Sequence, residues 1–308
     1  MIRKSPRRHW VPRHLSVPRH HGVKQRRAGL ARTCRVAVAS WAAAWLVPGA
    51  SALAADAPRR IVSINLCTDQ LLLALAEPER IAGLGRFARR ADMSYLATAA
   101  QAHPIVRGTA EEVLRLRPDL VLAGAFSGRA TRAVLEAHGI RVETFAPPRS
   151  IAEAKAEIIR VSGLLGTPQR GAVLIAEIDA AVGEAAALVR PKVALTALPL
   201  QRRGYASGRD TLVSSVLEAA GFVNAVASLG IDGIGRAPIE AIAKLRPDLL
   251  VVEGLGPAGD QATALLHHPV LARGLRSRIV ALPTAEVACG GPSLPALVRR
   301  VSGAALSK

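Results

Sequence analysis

The chain repeats itself. Residues 109–122, Thr-Ala-Glu-Glu-Val-Leu-Arg-Leu-Arg-Pro-Asp-Leu-Val-Leu, return 129 positions later as residues 238–251, Pro-Ile-Glu-Ala-Ile-Ala-Lys-Leu-Arg-Pro-Asp-Leu-Leu-Val. Each copy reads as a short helix ended by proline, then a buried strand opened by Asp. A further helix and strand follow each copy, with strands over 141–145 and 278–282. Before the first copy, 60–64 reads as a buried strand, 65–69 as a strand-to-helix turn, 70–75 as a helix and 81–84 as another strand. Strands alternating with helices build a parallel sheet covered on both faces. A duplicated unit of this kind predicts an α/β chain of two lobes, each a mostly parallel sheet flanked by helices.

Residues 55–150 then form an N-terminal lobe and 190–308 a C-terminal lobe, joined by helices over 151–189. Thr167-Pro168 is a capping residue followed by proline at the first helical position. The helix it starts, running to about Val189, spans about 33 Å at ~1.5 Å per residue. One long backbone helix between lobes makes a stiff hinge.

The first 54 residues differ from the rest. They hold 11 of the 41 Lys and Arg, no Asp or Glu, and all three Trp. Their charge supplies much of the net +18, so nucleic-acid binding does not follow from it. An Arg- and Pro-rich stretch leads into the apolar run Val36–Val47, then Ala52-Leu53-Ala54. That is the layout of a secretory signal peptide, with cleavage expected after Ala54 and a soluble, monomeric periplasmic product. Cys67 and Cys289 remain beyond the leader. Each falls in a turn facing the gap between lobes, where a bond would lock the lobes together. Both are therefore expected as free thiols or ligand contacts.

Several phrases resemble those of the periplasmic substrate-binding proteins of ABC importers for ferric siderophores, cobalamin and haem. They are the opening Arg59-Arg-Ile-Val-Ser-Ile-Asn-Leu-Cys-Thr-Asp69, the two Leu-Arg-Pro-Asp-Leu copies, Ser207-Gly-Arg-Asp-Thr-Leu through Gly221, and the closing Cys289-Gly-Gly-Pro292. The resemblance covers residues 59–305. It implies a two-lobed, helix-hinged binder, without resident cofactor, that hands its ligand to an inner-membrane permease. It also implies that Glu111 and Glu240, at matching places in the two lobes, dock on permease arginines. Helix capping is the plainer role for both.

Ligands gather at the carboxyl ends of parallel strands. The segments expected there carry Arg86, Phe87, Arg89, Arg90, Tyr95, Phe126, Arg129, Arg202, Arg203, Tyr205 and Arg236. Taken together they point to an Arg-rich pocket with aromatic faces, suited to an anionic chelate. Asn65, Cys67 and Asp69 form a turn whose free amides suit an anionic group. The Trp-free body favours a ferric siderophore or similar anionic complex, with cobalamin or haem as alternatives. An enzyme on a similar scaffold needs an acid–base pair among Asp69, Asp232, Asp260 and Glu286, or a base for Cys67 among His103, His138, His267 and His268. The spacing pairs none of them. Convergent metal-ligating side chains are not expected either.

Overall fold

The computed structural model describes residues 57–126, 128–188, 195–254 and 278–306. The signal peptide and its cleavage site, His267, His268 and Asp260 lie outside them. The N-terminal sheet contains β1 (Ile61–Ser63), β2 (Ile81–Gly85), β3 (Ile105–Val106), β4 (Leu120–Gly124) and β5 (Arg141–Phe145), in the order β3-β2-β1-β4-β5. Every neighbouring pair is parallel. Helices α1 (Leu66–Leu75), α2 (Ala110–Arg115) and α3 (Arg129–Ala137) make the crossovers.

Next come α4 (Ile151–Leu165) and α5 (Pro168–Leu188). The second sheet contains β6 (Leu195–Leu200), β7 (Tyr205–Ser207), β8 (Phe222–Asn224), β9 (Ile234–Arg236), β10 (Leu249–Glu253) and β11 (Arg278–Leu282). Its helices are α6 (Leu212–Ala219), α7 (Ile239–Leu245), α8 (Thr284–Val287) and α9 (Leu294–Leu306). β6 sits between β8 and β10, as β1 sits between β2 and β4. The duplication is therefore real at the level of strand order. The second copy adds β7, which pairs antiparallel with the end of β6 and with β9. That hairpin, not evident from the repeat, fills part of the cleft side of the C-terminal lobe.

The repeated phrase has a mechanical explanation. Arg117 and Arg246 both adopt the left-handed region, at φ 46° and 43°. The following proline disfavours the helical region for the residue before it, so the helix stops there. The Asp two residues on then secures the next strand to the lobe's first strand. Asp119 accepts from the Arg59 and Arg60 amides at 2.6 and 3.1 Å, and its own amide donates to the Arg60 carbonyl. Asp248 accepts from the Thr196 amide and hydroxyl at 2.8 and 2.9 Å, and its amide donates to the Thr196 carbonyl.

Side chains alternate across each strand, which sorts the apolar residues into three cores. Val62, Val121, Val113 and Leu135 fill the outer face of the first sheet. Leu198, Leu200, Leu250 and Ile242 do so in the second. The inner faces share one core: Ile61, Leu120 and Leu122 of one sheet and Ala197, Leu249 and Val251 of the other join the same cluster through α1, α4, α5, α6 and α9. The lobes are welded along this layer. Among the described residues no helix is long and apolar enough to cross a membrane.

Replacing Asp248 by Ala removes two side-chain acceptor bonds at the amino edge of β10. Urea unfolding should show a loss of about 1–3 kcal/mol. Asp119→Ala should lose a similar amount, and the two losses should add because they act in separate sheets.

Candidate functional site

The carboxyl ends of both sheets face a cavity of about 1000 Å³. That is the upper end of the ~300–1,000 Å³ usual for small-molecule sites, so it suits a large ligand. From the N-terminal side it is lined by Arg90, Asp92, Met93 and the loop Pro147-Pro148-Arg149 after β5. From the C-terminal side come Gln201 after β6, Ser207 at the end of β7, Glu253 at the end of β10 and Thr284 after β11, among others. Asp210, Leu212 and Ile234 complete much of that wall. The chain can turn tightly there because Gly208 lies against the Ile231 carbonyl, where a Cβ would approach to 2.0 Å.

Glu253 is the unusual group in this wall. Its side chain is buried, with the residue 6% exposed. The Ser207 hydroxyl donates to one carboxylate oxygen and Gln201 Nε2 to the other at 3.1 Å. Gln201 Nε2 also donates to Ser207 Oγ at 2.9 Å. Burial raises the Glu253 pKa to about 7, against the downward pull of Ser207 and Gln201. On the opposite wall the arginines are paired. Arg90 binds Asp92, and Arg149 binds Glu153 at 2.8 Å. Glu153, and more weakly Asp210 across the cleft, hold the Arg149 guanidinium above its ordinary range.

Of the residues expected at the cleft, Arg90 and Arg202 line this cavity. The others are not part of its lining. Asn65 is the N-cap of α1, and its Oδ1 accepts from the Cys67 and Thr68 amides. Those amides are thus occupied, which corrects the expectation of a free anion site. Asp69 is fully buried, accepting from the Gly85 amide at 2.9 Å. Burial raises its pKa to about 7, while Gly85 and Ser63 lower it. The Arg86 guanidinium stacks 4.5 Å over the Phe87 ring. Arg89 is spent on the carbonyls of Ala100, Gln101 and His103, so it braces its own loop. Tyr95 and Tyr205 are partly exposed, and Phe126 is almost fully so at 86%. Arg129 opens α3, and Arg203 is exposed at φ 60°. Arg236 lies opposite Tyr205 across the β7–β9 pair.

The free-thiol expectation is overturned: Cys67 and Cys289 form a disulfide, with Cα atoms 5.2 Å apart. The reason is close approach. The Cys289-Gly290-Gly291 segment runs directly against the N-terminal side, where a Cβ on Gly290 would come within 2.5 Å of Pro148 and 3.1 Å of Ala154. A Cβ on Gly291 would meet Leu71 of α1 at 3.2 Å. The turns do face each other, but in contact, not across a gap. Glu286, expected near the cleft, is instead buried in a two-bond ion pair with Arg300 of α9. Asp232 pairs with Arg209 at the surface.

Glu253, Ser207, Gln201 and the 147–149 loop were not singled out by sequence reasoning. A readable signal existed for Glu253. Leu-Leu-Val-Val-Glu is a fully buried strand that ends on a charge at its carboxyl end, and the first copy has Gly124 at that place. The Gln201 and Ser207 contacts depend on the β6–β7 hairpin, which the repeat did not reveal.

Two α/β lobes sharing one core, with a large cleft at the strand ends, define a solute-binding architecture. Comparison with known proteins agrees: the model of the periplasmic binding protein family matches residues 61–273, and the chain belongs to that family. It is 28% identical over 219 residues to a cobalamin-binding protein of Halobacterium salinarum, covering 67% of this chain. The match spans 57% of the length of that relative. Among solved structures it is similar to a periplasmic haem-binding protein from Roseiflexus sp. RS-1 in apo form, with a TM-score of 0.63 and 28% identity, covering 80% of this chain and 99% of that one. It is also similar to a periplasmic haem-binding protein from Pseudomonas aeruginosa, with a TM-score of 0.65 and 26% identity, covering 80% and 92%. These relatives are binding proteins.

Two outcomes follow from this geometry. Thiol titration of the denatured, unreduced protein from residue 55 onward should find no reactive thiol, and Cys67→Ser/Cys289→Ser should lose about 2–5 kcal/mol of stability. The second concerns pH. The folded Glu253 pKa of about 7 lies above the ordinary 4.5, so the folded protein keeps a proton the unfolded chain loses. Stability should therefore fall as pH rises from about 4.5 to about 7, then level off. Glu253→Gln should make that falling limb shallower in melts across the range.

Proposed function

We propose that the protein captures a metal chelate in the cleft and delivers it to an ABC importer in the inner membrane. The observation that carries this reading is the preformed cavity of about 1000 Å³ at the carboxyl ends of two welded lobes. A ferric siderophore, haem or cobalamin is large enough to need such a space. Because α5 and the shared core hold the lobes, binding is a small adjustment around a standing pocket and not a wide closure. That limits the conformational cost charged against affinity. The sequence segment 1–54 acts as an export signal cleaved after Ala54, and the mature protein works as a periplasmic monomer. No catalytic step is assigned: the ligand leaves as it came. The test is purification from the periplasm of an iron-poor host, followed by mass spectrometry and an absorbance spectrum of what co-purifies. A recovered intact chelate supports the reading, and a protein that neither co-purifies with nor binds any chelate overturns it.

Delivery is assigned to Glu111 and Glu240. Each is the second residue of its helix, α2 or α7, and each is exposed. The Glu111 carboxylate is held below its ordinary range by its own amide and the Thr109 hydroxyl, so it stays charged. Two matched anions, one per lobe, suit a partner that must touch both lobes at once. Rim charges of this kind act mainly through orientation and association rate. Glu111→Arg/Glu240→Arg should leave chelate affinity and melting temperature unchanged while uptake through the permease falls at least tenfold. Normal uptake by that variant would make both acids simple helix-terminal charges.

A further inference from the structure

The cavity wall carries one buried carboxylate whose place and partners point to what the ligand must display. Glu253 closes β10 at the strand's carboxyl end, within a wall that includes Leu212, Val213, Pro283, Val287 and Ala288. Moving a carboxylate into such surroundings is costly unless hydrogen bonds replace water. Ser207 and Gln201 supply one donor to each oxygen. Both partners are neutral, so they stabilise the charge without cancelling it. A carboxylate offers about four acceptor positions, and two donors leave capacity on both oxygens. The charge around the cavity is also balanced in kind. Arg90 is already matched by Asp92 and Arg149 by Glu153, while Arg202 Nε points to the Gly254 carbonyl. The paired arginines are thus not a free cationic surface waiting for an anion.

We infer that Glu253, braced by Ser207 and Gln201, accepts hydrogen bonds from N–H or O–H donors on the rim of the bound chelate and disfavours chelates that present carboxylates there. The inference rests on the reading of the protein as a chelate binder and narrows its cargo. It selects a chelate of low or positive charge with amide-type donors, the chemistry of a corrinoid. A haem propionate or an anionic ferric catecholate would place like charge beside Glu253 in a poorly solvated wall, where repulsion is strong. Gln201 and Ser207 act as positioning residues, because they fix which lone pairs face the cavity.

The experiment titrates the wild-type protein, Glu253→Gln and Glu253→Ala at pH 8 with cyanocobalamin, haemin and a ferric tricatecholate. Melting curves of the same preparations confirm that each variant is folded. The isosteric Glu253→Gln keeps the cavity filled should the alanine variant fail to fold. Wild type should bind cyanocobalamin most tightly. Removal of the acceptor in Glu253→Ala should weaken that binding by about tenfold or more, the usual cost of a charge-assisted bond. Glu253→Gln should narrow the preference from both sides, binding haemin several-fold tighter and cyanocobalamin weaker. Wild type preferring haemin or the tricatecholate overturns the inference and leaves the chelate-binding reading standing. So does unchanged cyanocobalamin affinity in both variants. A wild-type protein that binds none of the three overturns the reading beneath it, and the inference with it.

Discussion

The architecture depends on how the N-terminus of α1 meets the segment after α8. Cys67 and Cys289 close a covalent link there between residues 222 apart in sequence. Gly290 and Gly291 let the backbones approach closely enough for that link to form, because a Cβ on Gly290 would strike Pro148 and one on Gly291 would crowd Leu71. Immediately behind the contact lies the core common to both sheets. A covalent tie, a glycine-lined contact and a continuous apolar layer all oppose separation of the lobes at the cleft base. The rim above that base is formed by the segment carrying Arg90 to Met93 on one side and the β6–β7 hairpin on the other. With the base tied in this way, the walls of the cleft offer a source of specificity that does not depend on the degree of closure.

Much of this frame is legible in the sequence, and the reason is physical. Helix-ending prolines and strand-opening aspartates leave fixed marks in sequence, since Arg117 and Arg246 must turn and Asp119 and Asp248 must receive the adjoining strand's amides. Buried parallel strands read as apolar runs. These signals are local, and they gave strand positions to within a residue or two, with β5 and β11 at 141–145 and 278–282. The position of one lobe against the other is not local. The reading of Cys67 and Cys289 as free thiols assumed an open gap, and only the packing at Gly290 shows contact. The arginine reading failed to separate the cleft from its surroundings for a similar reason: Arg89 turned inward to carbonyls 11 to 14 residues away, a use that composition cannot announce.

Two of the buried acids show how similar groups diverge by placement. Asp69 and Glu253 both have pKa values raised to about 7, chiefly by burial. Asp69 is bound to the Gly85 amide, holding the end of β2 against α1. A Cβ at Gly85 would come within 2.9 Å of its second oxygen, so that carboxylate is enclosed by backbone. It acts within the N-terminal lobe as a structural tie. Glu253 has hydroxyl and amide partners that come from the neighbouring β7 and the residue after β6, and it borders the cavity. Burial alone therefore does not mark a functional acid. What distinguishes Glu253 is that its remaining acceptor capacity adjoins space a ligand can occupy.

Charge is where the whole-chain view and the site diverge most. The net +18 invites an anionic partner, yet 11 of the basic residues lie in the first 54 positions and many of the rest are committed. Arg160 bridges to Glu143 and stacks on Phe145, Arg299 binds Glu184, and Arg300 binds Glu286. Paired guanidiniums attract a further anion only weakly, because their carboxylate partners screen them at contact distance. The cleft walls follow the same pattern with Arg90 and Arg149. An excess of arginine can thus coexist with a binding site that is locally close to neutral. In such a site the deciding charge need not be the most abundant one, and a single carboxylate held by a hydroxyl and an amide can outweigh several arginines that are already satisfied.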